Sequence, residues 1–326
     1  MTISFLQAKR TRWGLWGMSA IAALIVGCDR TSESTAPAPE NPDSALPEVV
    51  ATSTLIADWT VQIGGDAIDL VGILQPGADP HVYEPVPQDS IALESADLIF
   101  YNGYNLEPNL INLIEATGIS ARTVAVAEIV TPLDFDYEGQ QVPDPHVWGD
   151  VANVVQMVEL MRDELIQLSP ENETEFTQNT EAFVTELIQL DDWIQAQIAT
   201  IPAEQRQLVT THDAFQYYTA AYGMEVAGTL IGISTEEQPS AQTVQQLSES
   251  IRVLGVPAIF AETTINPRLI TVVAEEAGVQ LAATELYSDS LGSPGSKGAT
   301  YVTMMVSNTQ TIVENLGGRY SPFVTQ

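Results

Sequence analysis

The chain has 326 residues, with 43 acidic side chains against 11 basic ones, three histidines and a formal net charge of -32 at pH 7. A surface this acidic excludes nucleic-acid binders, which neutralise phosphates with basic side chains, and it disfavours electrostatic docking on anionic lipid. Hydrophobic residues make up 45% of the chain, which is enough for a packed core, and the length predicts about two domains.

The N-terminus has the charge pattern of an export signal. Lys9, Arg10 and Arg12 precede an apolar run over residues 13–26, and no acid occurs among the first 27 residues. This is a charged n-region followed by an apolar segment that is too short for a comfortable transmembrane span. We therefore predict a signal peptide over residues 1–27, whose removal leaves a mature chain of net charge -35 because three basic side chains are lost.

The apolar run ends in Val26-Gly27-Cys28, which resembles the lipobox of bacterial lipoproteins. Cys28 is the single cysteine of the chain, so no internal disulfide can form, and its position indicates a lipidation site. The alternative is an ordinary signal peptide followed by an incidental or buried thiol. Residues 28–48 are rich in Ser, Thr, Ala, Pro and Glu, which predicts a flexible tether before a body that begins near Val49.

The first part of the body alternates between strand-like and turn-like segments. Residues 68–73 and 97–101 are short apolar runs, and they are followed by the breakers at residues 75–80 and 102–103. Strands that alternate with helices predict an α/β fold with a parallel sheet, in which ligands bind in loops beyond the carboxyl ends of the strands. We assign residues 49–168 to an N-terminal α/β lobe.

Residues 169–201 are predicted to form one long connecting helix. Ser169-Pro170 suits an N-cap and first turn, and no Gly or Pro follows until Pro202. Apolar residues recur there at helical spacing, namely Phe176, Phe183, Leu187, Leu190, Ile194 and Ile198. The alternative is a pair of shorter helices with an unmarked kink. Residues 202–326, with strand-like runs at 208–211 and 258–261 and a helix-like run at 301–316, are assigned to a C-terminal α/β lobe.

All three histidines lie in turn-rich segments near predicted strand ends. His81 and His146 each follow an Asp-Pro pair, and the spacings from His81 to His146 and on to His212 are 65 and 66 residues. Pro fixes the turn, so Asp79 and Asp144 are expected to shape their turns rather than to bind metal. Neutral imidazole is the commonest metal ligand near neutral pH, so three such residues indicate a metal site built from distant parts of the chain.

At these motifs the chain resembles the metal-binding lipoproteins of zinc and manganese ABC importers. The resemblance is carried by segments at residues 77–89, 144–150, 211–223, 260–263 and 289–292. It implies two α/β lobes with mostly parallel sheets, joined by one long rigid helix with limited hinge motion, and a metal site in the cleft between the lobes. It also implies the ligands His81, His146, His212 and Asp289. The alternative for Asp289 is a residue that caps a turn.

Two further acids are candidates for the surroundings of the metal. Glu262 can accept the second ring N–H of a ligand imidazole, and the alternative is a solvent-facing side chain after a strand. Glu84 is a similar candidate. Residues 134–141 contain no histidine, so the His-rich loop that the zinc relatives often carry is absent. Three imidazoles and one carboxylate favour Zn(II), and Mn(II) is the alternative because it gains from oxygen ligands.

The resemblance implies a solute-binding protein rather than an enzyme. Such a protein is exported, is anchored in the periplasm or at the cell surface through lipidated Cys28, and acts as a monomer. It captures the metal ion and passes it to a membrane permease driven by an ATPase. Two alternatives use the same residues differently: a zinc hydrolase with Glu262 or Asp289 as general base, and a surface adhesin.

Overall fold

The structure, a computed structural model, describes residues 46–116, 120–137 and 139–325. The predicted signal peptide, Cys28 and residues 28–45 of the predicted tether lie outside the described residues. The first strand begins at Glu48, one residue before the predicted start of the body. Within the described ranges, no helix is both long enough and apolar enough to cross a membrane.

A four-stranded parallel sheet with the order β2-β1-β3-β4 forms the N-terminal half. Its elements are β1 (Glu48–Ala51), α1 (Thr54–Gly64), β2 (Asp69–Gly72), α2 (Pro87–Ser95), β3 (Leu98–Tyr101), α3 (Pro108–Ala116) and β4 (Arg122–Ala125). Side chains of β1 alternate between two buried layers: Val49 and Ala51 join one apolar cluster and Val50 joins another. Strands β1 and β3 are mostly buried, which explains why they read as continuous apolar runs in the sequence, whereas β2 and β4 are exposed or half-buried.

An antiparallel hairpin is formed by the segment around residues 134–141, in which histidine is absent. It consists of β5 (Asp134–Tyr137) and β6 (Gln140–Pro143), and it ends directly before Asp144. After a short turn the chain enters α4 (Val151–Leu168), a helix that the sequence analysis did not identify. The hairpin therefore leads the chain into the turn that carries His146.

The predicted connecting helix is a single α-helix, α5 (Glu173–Ile198), of 26 residues. At 1.5 Å per residue it is about 39 Å long. The six apolar residues of its predicted stripe are all buried, and the helix is one unbroken element rather than two shorter ones. Its predicted start was wrong: the N–H of Ser169 donates to the carbonyl of Leu165, so Ser169 closes α4, and Pro170 opens a single 3-10 turn before α5.

The C-terminal half contains short parallel strand pairs between helices. They are β7 (Gln207–Thr210) with β8 (Glu225–Thr229), and β9 (Ala258–Ile259) with β10 (Gln280–Leu281). The helices are α6 (Gln216–Tyr222), α7 (Ala241–Leu254), α8 (Arg268–Ala277) and α9 (Tyr301–Asn315). The N–H of Phe260 donates to the carbonyl of Val209 at 2.9 Å, which brings the β9 segment alongside β7.

One apolar core extends through both halves. It includes Val49 and Trp59 from the first half, Leu190 from α5, and Leu208 and Tyr301 from the second half. The rings of Trp59 and Tyr301 meet edge to face with centroids 5.6 Å apart. The helix α9 thus returns to pack against the N-terminal half, and the two halves share a continuous interior.

Candidate metal centre

The two Asp-Pro-His segments fold into the same local turn. The carboxylate of Asp79 accepts the backbone N–H of His81 at 3.0 Å, and that of Asp144 accepts the backbone N–H of His146 at 2.9 Å. An Asp side chain that binds the backbone two residues later is a standard way to form a turn. Proline at the middle position fixes the backbone and removes a competing donor, so each histidine projects from a rigid loop.

The other two residues come from the C-terminal half. His212 lies two residues after the end of β7, and Asp289 lies in a buried stretch, residues 288–291, of the loop that connects β10 to α9. The indole N–H of Trp148 donates to the carbonyl of Ser288 at 3.0 Å, which ties this loop to the segment carrying His146. The four predicted ligands, separated by up to 208 residues in the chain, therefore converge where the halves meet.

The ligand atoms of these four residues lie within 4.8 Å of one another, and all four residues are buried. The Nε2 atoms of His81 and His146 are 3.2 Å apart. Oxygens of Asp289 lie 3.7 Å from Nε2 of His81, 3.6 Å from Nε2 of His146 and 3.1 Å from Nε2 of His212. A single ion at the centre of this group can reach all four.

Three of these polar atoms are buried without a hydrogen-bond partner: Nε2 of His212 and both carboxylate oxygens of Asp289. A buried polar atom that lacks a partner costs free energy, and native proteins rarely tolerate several together. A bound cation satisfies all of them at once. The orphaned atoms thus fit a metal ion of the kind that imidazole nitrogen and carboxylate oxygen bind.

Two of the imidazoles are oriented by carboxylates on their far side. Nδ1 of His146 lies 2.7 Å from Asp144, and Nδ1 of His212 lies 2.5 Å from Glu262. Glu262 also accepts the backbone N–H of His212 at 2.8 Å and is fully buried, so the solvent-facing alternative for this residue is wrong. A carboxylate at Nδ1 keeps a proton there and leaves Nε2 free to bind metal, which fixes both the tautomer and the ring orientation.

The electrostatics of the site are those of a cluster with an excess of negative charge. Burial by itself raises the pKa of Asp289, but the three imidazoles, led by His212, outweigh burial and hold that pKa well below its usual range. Burial lowers the pKa of His81 to about 3. Burial also acts to lower the pKa of His212, but Glu262 and Asp289 overcome it and raise that pKa. A divalent cation balances the buried carboxylates without requiring any imidazole to be protonated.

The remaining candidates, Glu84 and Asp144, differ in their surroundings. Glu84 is exposed to solvent, whereas the four candidate ligands and Glu262 are all buried. Asp144 shapes its turn as expected, but it also contacts the ring of His146, a role that the sequence analysis missed. The signal was present in the motif, because an Asp two residues before a His can reach both its backbone N–H and its ring.

Comparisons with known proteins agree with this architecture. The model of the family described as zinc-uptake complex component A, periplasmic, matches residues 49–315. The manganese-binding lipoprotein MntA of Halalkalibacterium halodurans is 33% identical over 297 residues, which cover 91% of this chain and 95% of that protein. The zinc-binding protein TroA of Treponema pallidum is 38% identical over 276 residues, which cover 83% and 89%.

The solved structures give the same result for the fold. The structure of the periplasmic zinc-binding protein TroA from Treponema pallidum superposes with a TM-score of 0.79 at 36% identity, and it covers 83% of this chain and 99% of that one. A manganese-bound periplasmic metal-binding protein from Candidatus Liberibacter asiaticus superposes with a TM-score of 0.75 at 23% identity, which shows a shared fold. The expected α/β fold with parallel sheets and one long helix is confirmed.

Proposed function

Since this chain belongs to the zinc-uptake complex component A family of periplasmic proteins, we propose that it captures a divalent metal ion and delivers it to an ABC permease. Its relatives include metal ABC transporter substrate-binding lipoproteins, so the transport function predicted from the sequence agrees with the family. The comparisons give no support to the hydrolase or the adhesin. The permease and its ATPase are the partners that this function requires.

The observation that carries the proposal is the convergence of four buried ligand atoms from both halves of the chain. We assign the metal to His81, His146, His212 and Asp289, with Asp144 and Glu262 orienting two of the rings. Three nitrogens and one carboxylate fill a tetrahedral shell. A site that acts on water needs an open position, so a shell that the protein closes suits retention of the ion rather than hydrolysis.

We propose Zn(II) as the ion, with Mn(II) as the alternative. Imidazole is a good ligand for Zn(II), whereas Mn(II) gains more from oxygen ligands, and this site offers three imidazoles and a single carboxylate. The relatives do not decide between the two ions, since one is named for manganese and another for zinc.

Metal analysis of protein purified without added metal, followed by competition between Zn(II) and Mn(II), tests both the function and the ion. Tighter binding of Mn(II) would overturn the assignment of zinc, and binding of neither ion would overturn the function. The variant His146→Ala should lose most of the affinity, because it removes a fully buried ligand. The exposed Glu84→Gln serves as its control and should bind like the unchanged protein.

We further propose that the mature protein is a monomer tethered to the membrane through lipid on Cys28. The lipoprotein relatives and the lipobox-like sequence before Cys28 support this. In cells that express the full chain, Cys28→Ser should move the protein from the membrane fraction to the soluble fraction and abolish labelling by a fatty-acid analogue. Light scattering of the purified protein tests the monomer.

A further inference from the structure

We propose that Thr235 is a positioning residue that clamps the metal site and slows release of the ion. The proposal rests on the function proposed above. Thr235 lies in the loop between β8 and α7, residues 230–240, here called the cover loop. Its hydroxyl donates to Oδ2 of Asp79 at 2.6 Å, and the other oxygen of the same carboxylate accepts the backbone N–H of His81 at 3.0 Å.

One carboxylate therefore connects the cover loop of the C-terminal half to a ligand of the N-terminal half. Asp79 and Thr235 are both partly buried, and a hydrogen bond to a charged group is stronger than one between neutral groups. Loss of the hydroxyl leaves one oxygen of Asp79 without this donor. The turn that presents His81 then loses its link to the opposite half of the molecule.

The other end of the cover loop is fixed beside a second ligand. The N–H groups of Leu230 and Ile231 donate to the carbonyl of Thr211 at 3.0 and 2.9 Å, and the N–H of Asp213 donates to the carbonyl of Gly232 at 3.2 Å. Both chain neighbours of His212 are thus hydrogen-bonded to the start of the cover loop. The loop runs from the His212 segment to the His81 turn, and Thr235 makes its contact at the far side.

The cover loop also forms a wall of a cavity of about 710 Å³ that reaches His81. Ile233, Ser234 and Glu236, which flank Thr235 in the sequence, line the cavity, and its other lining residues all belong to the N-terminal half. Movement of the cover loop therefore changes access to a ligand that is itself only 3% exposed. The hydrogen bond from Thr235 to Asp79 holds that wall in place.

The test is the rate at which metal-loaded protein releases Zn(II) to an excess of chelator in stopped-flow measurements. Thr235→Val keeps the shape of the side chain and removes the hydroxyl, and we expect release to be about tenfold faster. Thr235→Ser restores the hydroxyl and should restore slow release. The control is Thr185→Val on an exposed face of α5, whose hydroxyl bonds only within its own helix and which should release the ion at the original rate.

Two further measurements distinguish the clamp role of Thr235 from a merely structural role. Hydrogen exchange of the metal-loaded protein should become faster in residues 230–240 of Thr235→Val, while the metal-free variant still unfolds in one cooperative thermal transition. Release from Thr235→Val at the original rate would overturn the clamp, and so would Thr235→Ser that releases as fast as Thr235→Val. If the unchanged chain binds neither Zn(II) nor Mn(II), the proposed function fails and the clamp with it, whereas the other two outcomes leave the function standing.

Discussion

Replacement of Glu262 by glutamine tests how far the metal affinity depends on a residue that does not touch the metal. Glu262 is fully buried, accepts the backbone N–H of His212 at 2.8 Å and faces its ring Nδ1 at 2.5 Å. The variant keeps the volume of the side chain but replaces one acceptor oxygen with an N–H₂ donor. Two donors then face each other at either the backbone or the ring.

The expected magnitude follows from those two contacts. Loss of the carboxylate removes the charge that makes Nε2 of His212 a better ligand, and it leaves a buried donor without an acceptor. Changes at such orienting carboxylates typically cost about 10- to 100-fold in metal affinity, or roughly 1.4 to 2.7 kcal/mol. We expect Glu262→Gln to weaken Zn(II) binding within this range rather than to abolish it, because all four proposed ligands remain.

The assay is a competition for Zn(II) against a chromophoric chelator of known affinity, at one pH and with the unfolding transition of the metal-free variant measured in parallel. Glu84→Gln is the matched control, since the same substitution is made at an exposed acid in the segment that follows His81. An affinity of Glu262→Gln equal to that of the unchanged protein would refute the argument that this carboxylate tunes His212. Equal losses in both variants would indicate a general effect of charge instead.

Three further predictions concern the carboxylate of Asp289, the buried acid Glu107 and the long helix α5. At a Zn(II) concentration about 100 times the dissociation constant, binding stabilises the folded state by about 2.7 kcal/mol, and Asp289→Asn should lose most of the resulting rise in melting temperature in a thermal shift assay; an undiminished rise would remove Asp289 from the site. Burial raises the pKa of Glu107 to about 7 from 4.5, so the stability contributed by this group is present below about pH 4.5 and is lost as the pH rises through 7. In urea unfolding of metal-free protein, the free energy of unfolding of Glu107→Gln should therefore rise relative to that of the unchanged chain by up to about 3 kcal/mol between pH 4.5 and 8. A difference that stays constant with pH contradicts this reasoning. Leu190→Ala on α5 should cost about 2 to 5 kcal/mol in the same unfolding measurement while leaving the Zn(II) affinity of the folded protein intact, since no ligand lies on that helix; a loss of affinity equal to that of His146→Ala would show that the helix and the site are coupled.

Much of the fold could be predicted because the signals are local. Residues 171–201 contain no Gly or Pro, and the periodic apolar stripe specifies one buried face, so the existence of α5 followed from spacing alone. The first residue of α5 could not be predicted from spacing, because Ser169 suits the end of α4 as well as the start of α5. The hydrogen bond from the N–H of Ser169 to the carbonyl of Leu165 shows that Ser169 ends α4. The helix α4 was not predicted; it lies between the motif around His146 and the apolar stripe of α5.

The sequence predicted which four residues the structure brings together, but it did not predict their contacts. Histidine is scarce in this chain, so each one could be judged by its own turn, whereas Asp289 depended on a resemblance because an aspartate in a loop is common. Glu262 and Glu84 had equivalent sequence signals, and only tertiary packing buries the first and exposes the second. The link from Thr235 to Asp79 spans 156 residues and leaves no trace in local sequence.

The continuous apolar core has a consequence for how the ion is handed on. Because residues of both halves pack into one interior, the halves cannot separate widely without exposing that core to water, at about 25 cal/mol for each Å² of apolar surface. The proposed ligand set is therefore preorganised, and little of the binding energy would be spent on closing the protein around the ion. Preorganisation makes capture from dilute solution favourable and unaided release slow, so handing on the ion calls for displacement of the loops around it.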